Sequence, residues 1–378
     1  MRTREGDEDR RATWLELFLD LVFVGAIAQV ALTLGHDPTA AGFGRYLALF
    51  IPVGWAWAGF TFYATRFDTD DLLYRLLVLL GMFAVAALAS TVPDALHGGQ
   101  NAFALAYVSV RLVLIVLYAR VYRQLEVARP VAGWFIFMFG LAAVDWLISL
   151  AVPVPWKYVF WGFALALEHA APIRAWRLIP DAPVHPRHIP ERYGLLIIIV
   201  LGEAVIGVVL GTTSVSWTLL SGTAAFAGFV AAAAIWWLYF DFLSASAVTR
   251  NVLSGITFVY AHYFVAAGIA ALGVGVKLTI LSAAPGPSYD DIGWIAAVST
   301  AMCMGGLAAI QLATPPTLLD LDVALRLAVA AAAGALALVS SFLSPVLVLW
   351  LLAIVLVTQV VVELGGHERH AGAVEAPL

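Results

Sequence analysis

Runs of about twenty apolar residues recur along nearly the whole chain, and they require lipid as the solvent for most of its exterior. They lie at roughly 14–34, 46–65, 72–92, 102–122, 131–151, 156–174, 191–212, 216–241, 253–280, 292–313, 322–341 and 345–363. Turn formers separate them, among them His36-Asp37-Pro38, Val92-Pro93-Asp94, Pro153-Val154-Pro155, Pro285-Gly286-Pro287 and Pro315-Pro316. Backbone that crosses a bilayer must satisfy its own hydrogen bonds, so the choice is between helices and a closed barrel. Barrel strands would alternate apolar and polar residues over segments of about ten. These runs are longer and uninterrupted, so the expected fold is all-α, a polytopic helical membrane protein with about twelve transmembrane helices. Composition agrees, with 62% hydrophobic and 12% charged residues and a mean hydropathy of +0.93. Soluble domains are nearer half apolar and one quarter charged.

The charges test this division. With the N-terminus in the cytoplasm, the inner side receives sixteen arginines: Arg2, Arg4, Arg10, Arg11, Arg66, Arg75, Arg120, Arg123, Arg129, Arg174, Arg177, Arg187, Arg192, Arg250, Arg326 and Arg369. The outer side receives three cations, Arg45, Lys157 and Lys277. Such a bias is the positive-inside rule. One span too many or too few would scramble it, so an even number with both termini inside is expected. The use of arginine over lysine and the abundant Ala and Val suggest a bacterial chain, and thus its cytoplasmic (inner) membrane.

The domain reading is a tail at 1–13, a six-helix half at 14–174, a cytoplasmic loop at 175–190, a second half at 191–363 and a tail at 364–378. Glu16 and Glu191 open the two halves, Arg75 and Arg250 keep the same separation, and Trp55 and Trp57 are echoed loosely by Trp236 and Trp237. Six spans per half would give the halves the same orientation, a parallel repeat.

Function is sought among side chains that lipid disfavours. An ionisable group at mid-bilayer costs several kcal/mol and normally faces the bundle interior or water. Arg111 stands near the middle of the fourth span and, being always charged, needs a carboxylate, carbonyls or an anionic ligand. Glu203 is at mid-depth in the seventh span, between Gly202 and Gly207, where it must take a proton or a cation. Asp145 and Glu168 are also deep. His169 and His262 read either as proton-relay groups or as satisfied core histidines. Glu16 and Asp20 are four apart, so they share one face of the first helix and can share a cation, a proton or an arginine. At the seventh span, His188-Ile189-Pro190-Glu191-Arg192 puts proline at the helix start, where it leaves no amide unpaired. His185, His188 and Glu191 do not read as a metal site, because the proline breaks the spacing.

Other chemistries are excluded. The one cysteine, Cys303, rules out an internal disulfide or a thiolate cluster. There is no Walker loop, no Gly-x-Ser-x-Gly, no His-Glu-x-x-His and no nucleic-acid signature. No cofactor, metal or catalytic residue is expected. The partners are the bilayer and a small solute or ion.

Two segments resemble a known family. Thr13-Trp14-Leu15-Glu16-Leu17-Phe18-Leu19-Asp20-Leu21-Val22-Phe23 is similar to the opening signature of the bacterial low temperature requirement A family. The segment His188 to Glu203, reading His-x-x-Glu-Arg-x-Gly, an apolar stretch and Leu-Gly-Glu, resembles that family's central motif. Leu19 departs conservatively from a phenylalanine in many members. The resemblance implies a bacterial multi-pass membrane protein and makes Glu16, Asp20, His188, Glu191, Arg192, Gly202 and Glu203 signature residues. It implies no settled substrate.

The expectation is a secondary transporter or permease rather than an enzyme. Buried carboxylates would handle protons, cations or a small polar solute, with Glu203 exchanging a proton or binding the coupling ion. Arg111 would orient an acidic partner or a substrate anion, and Glu16 and Asp20 would gate the cytoplasmic side. A membrane-embedded enzyme, a lipid-handling protein and a sensor or assembly partner are the alternatives.

Overall fold

The structure is a computed structural model that describes residues 2–3, 12–68, 70–175, 178, 188–241, 252–284, 291–313 and 321–374. His185 and Arg4, Arg10, Arg11, Arg177, Arg187 and Arg250 fall outside these residues, as do the turns at Pro285-Gly286-Pro287 and Pro315-Pro316. Twelve α-helices are described, and they follow the apolar runs: α1 (Trp14–His36), α2 (Ala40–Arg66), α3 (Leu72–Thr91), α4 (Gln100–Gln124), α5 (Arg129–Ile148), α6 (Trp156–Ala175), α7 (His188–Thr213), α8 (Leu219–Phe240), α9 (Val252–Ser282), α10 (Gly293–Leu312), α11 (Leu321–Val339) and α12 (Pro345–Val374). A two-residue antiparallel pairing joins β1 (Arg2–Thr3) to β2 (Phe67–Asp68).

Local chemistry starts several of these helices. Asp71 caps α3 by accepting from the Tyr74 amide at 2.9 Å. Thr218 and Ser221 form a reciprocal capping box on α8. Thr13 and Glu16 do the same on α1: the Thr13 amide donates to Glu16 Oε2 at 2.9 Å, and the Glu16 amide to Thr13 Oγ1 at 3.3 Å.

Eleven of the described helices are long and apolar enough to cross a membrane. The exception is α6, with Lys157, Glu168, His169 and Arg174 on its twenty residues. Its polarity is turned inward: Lys157 is buried and donates to Asn101 Oδ1 at 2.5 Å and to the Ser149 carbonyl at 2.7 Å, and Glu168 is ion-paired. Large apolar side chains meanwhile stand on the outside, among them Phe83, Phe137, Phe226, Leu338 and Ile354. Such a surface is at rest only in hydrocarbon. The chain is a polytopic helical membrane protein.

The helices form two compact units, Met1–Thr33 with Ala40–Leu195 and Leu34–Thr39 with Leu196–Leu378. In the first, α3 packs on α4, α4 on α5 and α5 on α6, and α2 packs on α4. Aromatic rings fill its interior, with Tyr118 edge-on to Tyr63 at 5.3 Å, stacked on Phe135 at 5.0 Å and touching Phe139 at 6.0 Å. A second group joins Phe103, Tyr107, Trp146 and Trp161. In the second unit, α10 is central and packs on α9, α11 and α12, and α12 also lies on α8. Small residues allow that closeness: a Cβ at Gly268 of α9 would stand 2.7 Å from the Ser299 carbonyl oxygen of α10.

Candidate functional site

The first unit brings together residues that lie some 170 positions apart in sequence. Glu16 and Asp20 project from one face of α1, as their spacing predicts, and both are buried. The first turns of α7 bring up His188 and Arg192, also fully buried. Arg192 Nη2 donates to Asp20 Oδ1 at 2.6 Å, and the indole Nε1 of Trp57 on α2 donates to the same oxygen at 2.8 Å. The Trp57 ring meets Tyr193 edge-on at 4.9 Å. One turn nearer the start of α1, His188 Nε2 lies 3.7 Å from Glu16 Oε2, and His188 Nδ1 lies 3.3 Å from Glu191 Oε2. Glu191 Oε1 in turn accepts from the Ala12 amide at 3.1 Å.

This arrangement is polar, closed and incompletely satisfied. Asp20 Oδ2, Arg192 Nε and Arg192 Nη1 are buried without hydrogen-bond partners. A pair of opposite charges out of water is held by its mutual attraction, so removing one partner costs far more than removing both. Sequence reasoning anticipated Glu16, Asp20, His188, Glu191 and Arg192. It missed Trp57 as a member and noted it only as half of a tryptophan pair. The available signal was its depth: an interfacial tryptophan needs no buried acceptor, whereas Trp57 stands in mid-helix.

A second buried pair lies in the same unit. Arg111 Nη2 approaches Glu168 Oε2 to 2.6 Å, and both side chains are fully enclosed. The Tyr107 hydroxyl donates to Glu168 Oε2 at 2.6 Å and accepts from Arg111 Nε at 3.1 Å and from Arg111 Nη2. The guanidinium also lies over the Tyr107 and Phe139 rings, 4.8 and 5.2 Å from their centroids. Of the expected partners for Arg111, the structure supplies the carboxylate, from the next helix but one. Asp145 is in this unit but outside the pair; its Oδ2 is buried and unpartnered. His169 stacks on Trp55 at 4.0 Å, with Nδ1 2.7 Å from the Leu165 carbonyl oxygen.

In the second unit, His262 has both nitrogens engaged. Nδ1 donates to the Phe258 carbonyl at 2.6 Å and Nε2 accepts from the Tyr239 hydroxyl at 3.0 Å, which fits the neutral ring. Arg326 Nη2 pairs with Glu363 Oε2 at 3.2 Å, and Gln359 donates to Glu363 Oε1 at 2.7 Å. Sequence reasoning missed this cluster, having counted Arg326 only among the inner-side cations. Arg66, Arg192 and Arg326 were all counted on that side, and all three are buried. Each stands near a helix end, where hydropathy alone does not separate a loop cation from an inward-facing one.

Glu203 differs from the arginine-paired carboxylates above. It lies in α7 at half-burial, and no described residue hydrogen-bonds or ion-pairs with its side chain. The helix is held beside it by close backbone contact: a Cβ at Gly273 of α9 would stand 2.8 Å from the Glu203 carbonyl oxygen, and one at Gly207 would strike the Gly273 carbonyl. At Gly202 the corresponding space is open. Among the described residues no group of three His, Cys, Asp or Glu side chains suits a metal ion.

The uncharacterized protein RA0937 of Rhizobium meliloti (strain 1021) is 27% identical over 307 aligned residues, covering 73% of this chain and 71% of the relative. The family model for the bacterial low temperature requirement A protein matches residues 11–361, a range that starts just before Glu16 and ends just before Glu363. The chain belongs to the bacterial low temperature requirement A (LtrA) family.

Proposed function

We propose that this protein is a secondary transporter or permease of the bacterial inner membrane, with both termini cytoplasmic, and that Glu203 is its working carboxylate. The observation that carries the reading is a contrast. Asp20, Glu168 and Glu363 are each neutralised by an arginine, whereas Glu203 is half-buried on an apolar helix with no partner among the described residues. A carboxylate in such surroundings takes up a proton or a cation, because the bare charge is costly there. It can also release what it takes up, since no fixed arginine competes for it. Glu168 and Glu363, each held by an arginine, then act as struts. The signature cluster of Asp20, Trp57 and Arg192 with Glu16 and His188 serves as the cytoplasmic gate, because α7 carries both Arg192 and Glu203. Protonation of Asp20 or Glu16 would loosen the contact between α1 and α7.

The test uses purified protein in proteoliposomes holding a pH-sensitive dye under an imposed membrane potential. The wild type is expected to pass protons, alone or with added Na⁺ or K⁺. Glu203→Gln abolishes that flux and Glu203→Asp keeps part of it. Full flux through Glu203→Gln would remove the assignment.

A further inference from the structure

We propose that the first unit contains a binding site for a small monovalent anion at Arg66, between α2, α4 and α5. Arg66 is the last residue of α2 and is 3% exposed. No described carboxylate lies within ion-pair distance of it. It rests over the faces of Phe62 and Phe135, 5.6 and 5.2 Å from their centroids, beside Tyr118. Its Nε and Nη1 are buried and have no acceptor.

Aromatic faces do not replace a counter-ion. Two cation–π contacts offset only part of the cost of an unpaired buried charge. Nor do they accept the open N–H groups, which demand a partner when water is absent. Arg111, on the facing helix, makes the surplus plainer. Gly59 and Arg66 are two turns apart on α2, and Arg111 and Tyr118 are two turns apart on the facing α4. Arg111 comes against α2 at Gly59, where a Cβ would stand 3.0 Å from its Nη1, and Tyr118 comes against Arg66. Both cations flank one aromatic column, Tyr118 with Phe135 and Phe139. Glu168 balances Arg111 alone, and Arg111 Nη1 also has no acceptor. Arg66 thus has no described carboxylate of its own.

The enclosure limits what can supply it. A lipid headgroup is too large for a cation closed in by Phe62, Phe135 and Tyr118. A halide, nitrate or formate-sized carboxylate has the right charge, accepts from Nε–H and from the guanidinium edge, and can sit beside the Tyr118 hydroxyl.

The site can be tested on the full chain in detergent, exchanged into bulky gluconate and titrated at constant ionic strength with chloride, nitrate or formate while thermal unfolding is followed. The wild type is expected to show a saturable rise in melting temperature with at least one of these anions. Arg66→Gln weakens the apparent affinity at least tenfold while keeping its helical circular dichroism. Should Arg66→Gln fail to fold, Tyr118→Phe decides: it leaves the cation in place and is expected to weaken binding severalfold. An absent response in the wild type, or equal responses in wild type and variants, overturns the proposal. So does a response that appears only when residues 4–11 are deleted, because the acidic side chains of that segment would then be the natural counter-ions.

Discussion

Asp20 and Arg192 are both completely shielded from solvent, and Arg192 has no other carboxylate beside it. Asp20→Asn is therefore expected to leave an uncompensated buried cation and to destabilise the protein by about 3–5 kcal/mol, and Arg192→Met to cost a similar amount. The double variant Asp20→Leu with Arg192→Met should recover most of that loss, read as the midpoint of thermal unfolding in detergent. A double variant no better than the worse single one would contradict the reading of this pair as mutually neutralising charges. Gly59 is a second sensitive point. An added methyl would come 2.8 Å from Leu114 Cδ1 and 3.0 Å from Arg111 Nη1, so Gly59→Ala must shift the guanidinium off Glu168. A loss of roughly 1–3 kcal/mol is expected. At this scale the sequence exposed which residues are anomalous, since an arginine or glutamate in an apolar run is plain to see. It could not assign their partners. Arg111 could have met Asp145, Glu168 or a ligand, and only the packing of α4 on α5 and α5 on α6 selects Glu168. Arg66, Arg192 and Arg326 were counted only as inner-side cations, because burial at a helix end depends on which way the helix is turned.

The helices were legible almost throughout, because a run of about twenty apolar residues in lipid has few other outcomes. The deviation in α6 has a physical reason, since its charged residues are spent on contacts inside the first unit and lower its hydropathy without meeting lipid. Close crossings were partly legible: Gly207 was noted beside Glu203, but Gly273, its counterpart on α9, did not stand out in a helix with several glycines. Gly273→Ala is expected to force α7 and α9 apart, since its methyl would meet the rigid backbone at Glu203 and Ala204. The expected loss is about 1–3 kcal/mol, seen as a lower melting temperature and faster amide exchange in α7. At the start of α3, outside the membrane, the hydrogen bond from Arg120 holds the Asp71 carboxyl below its ordinary value of 3.8, and the Tyr74 amide adds to this. A depressed folded value means that the contribution is present above the unfolded value and is lost as pH falls through the folded one. The stability difference between wild type and Asp71→Asn should therefore hold near neutral pH and vanish in acid below about pH 4. A difference that grew on acidification would contradict the sign.

For the whole molecule, the interior is built around three fully buried arginine–carboxylate pairs, two in the first unit and one in the second. These pairs use up most of the deep charge that sequence reasoning offered as a site. What is left over includes Glu203 in the second unit, and Asp145 and the cation of Arg66 in the first. A half-buried carboxylate on an apolar helix, with no described partner, is well suited to exchange a proton. The most direct measurement is infrared difference spectroscopy of the reconstituted protein through a pH titration. The account predicts a protonated-carboxyl band that titrates with pH, shifts in deuterated water, disappears in Glu203→Gln and survives in Glu168→Gln. A spectrum unchanged by Glu203→Gln at every pH would contradict it.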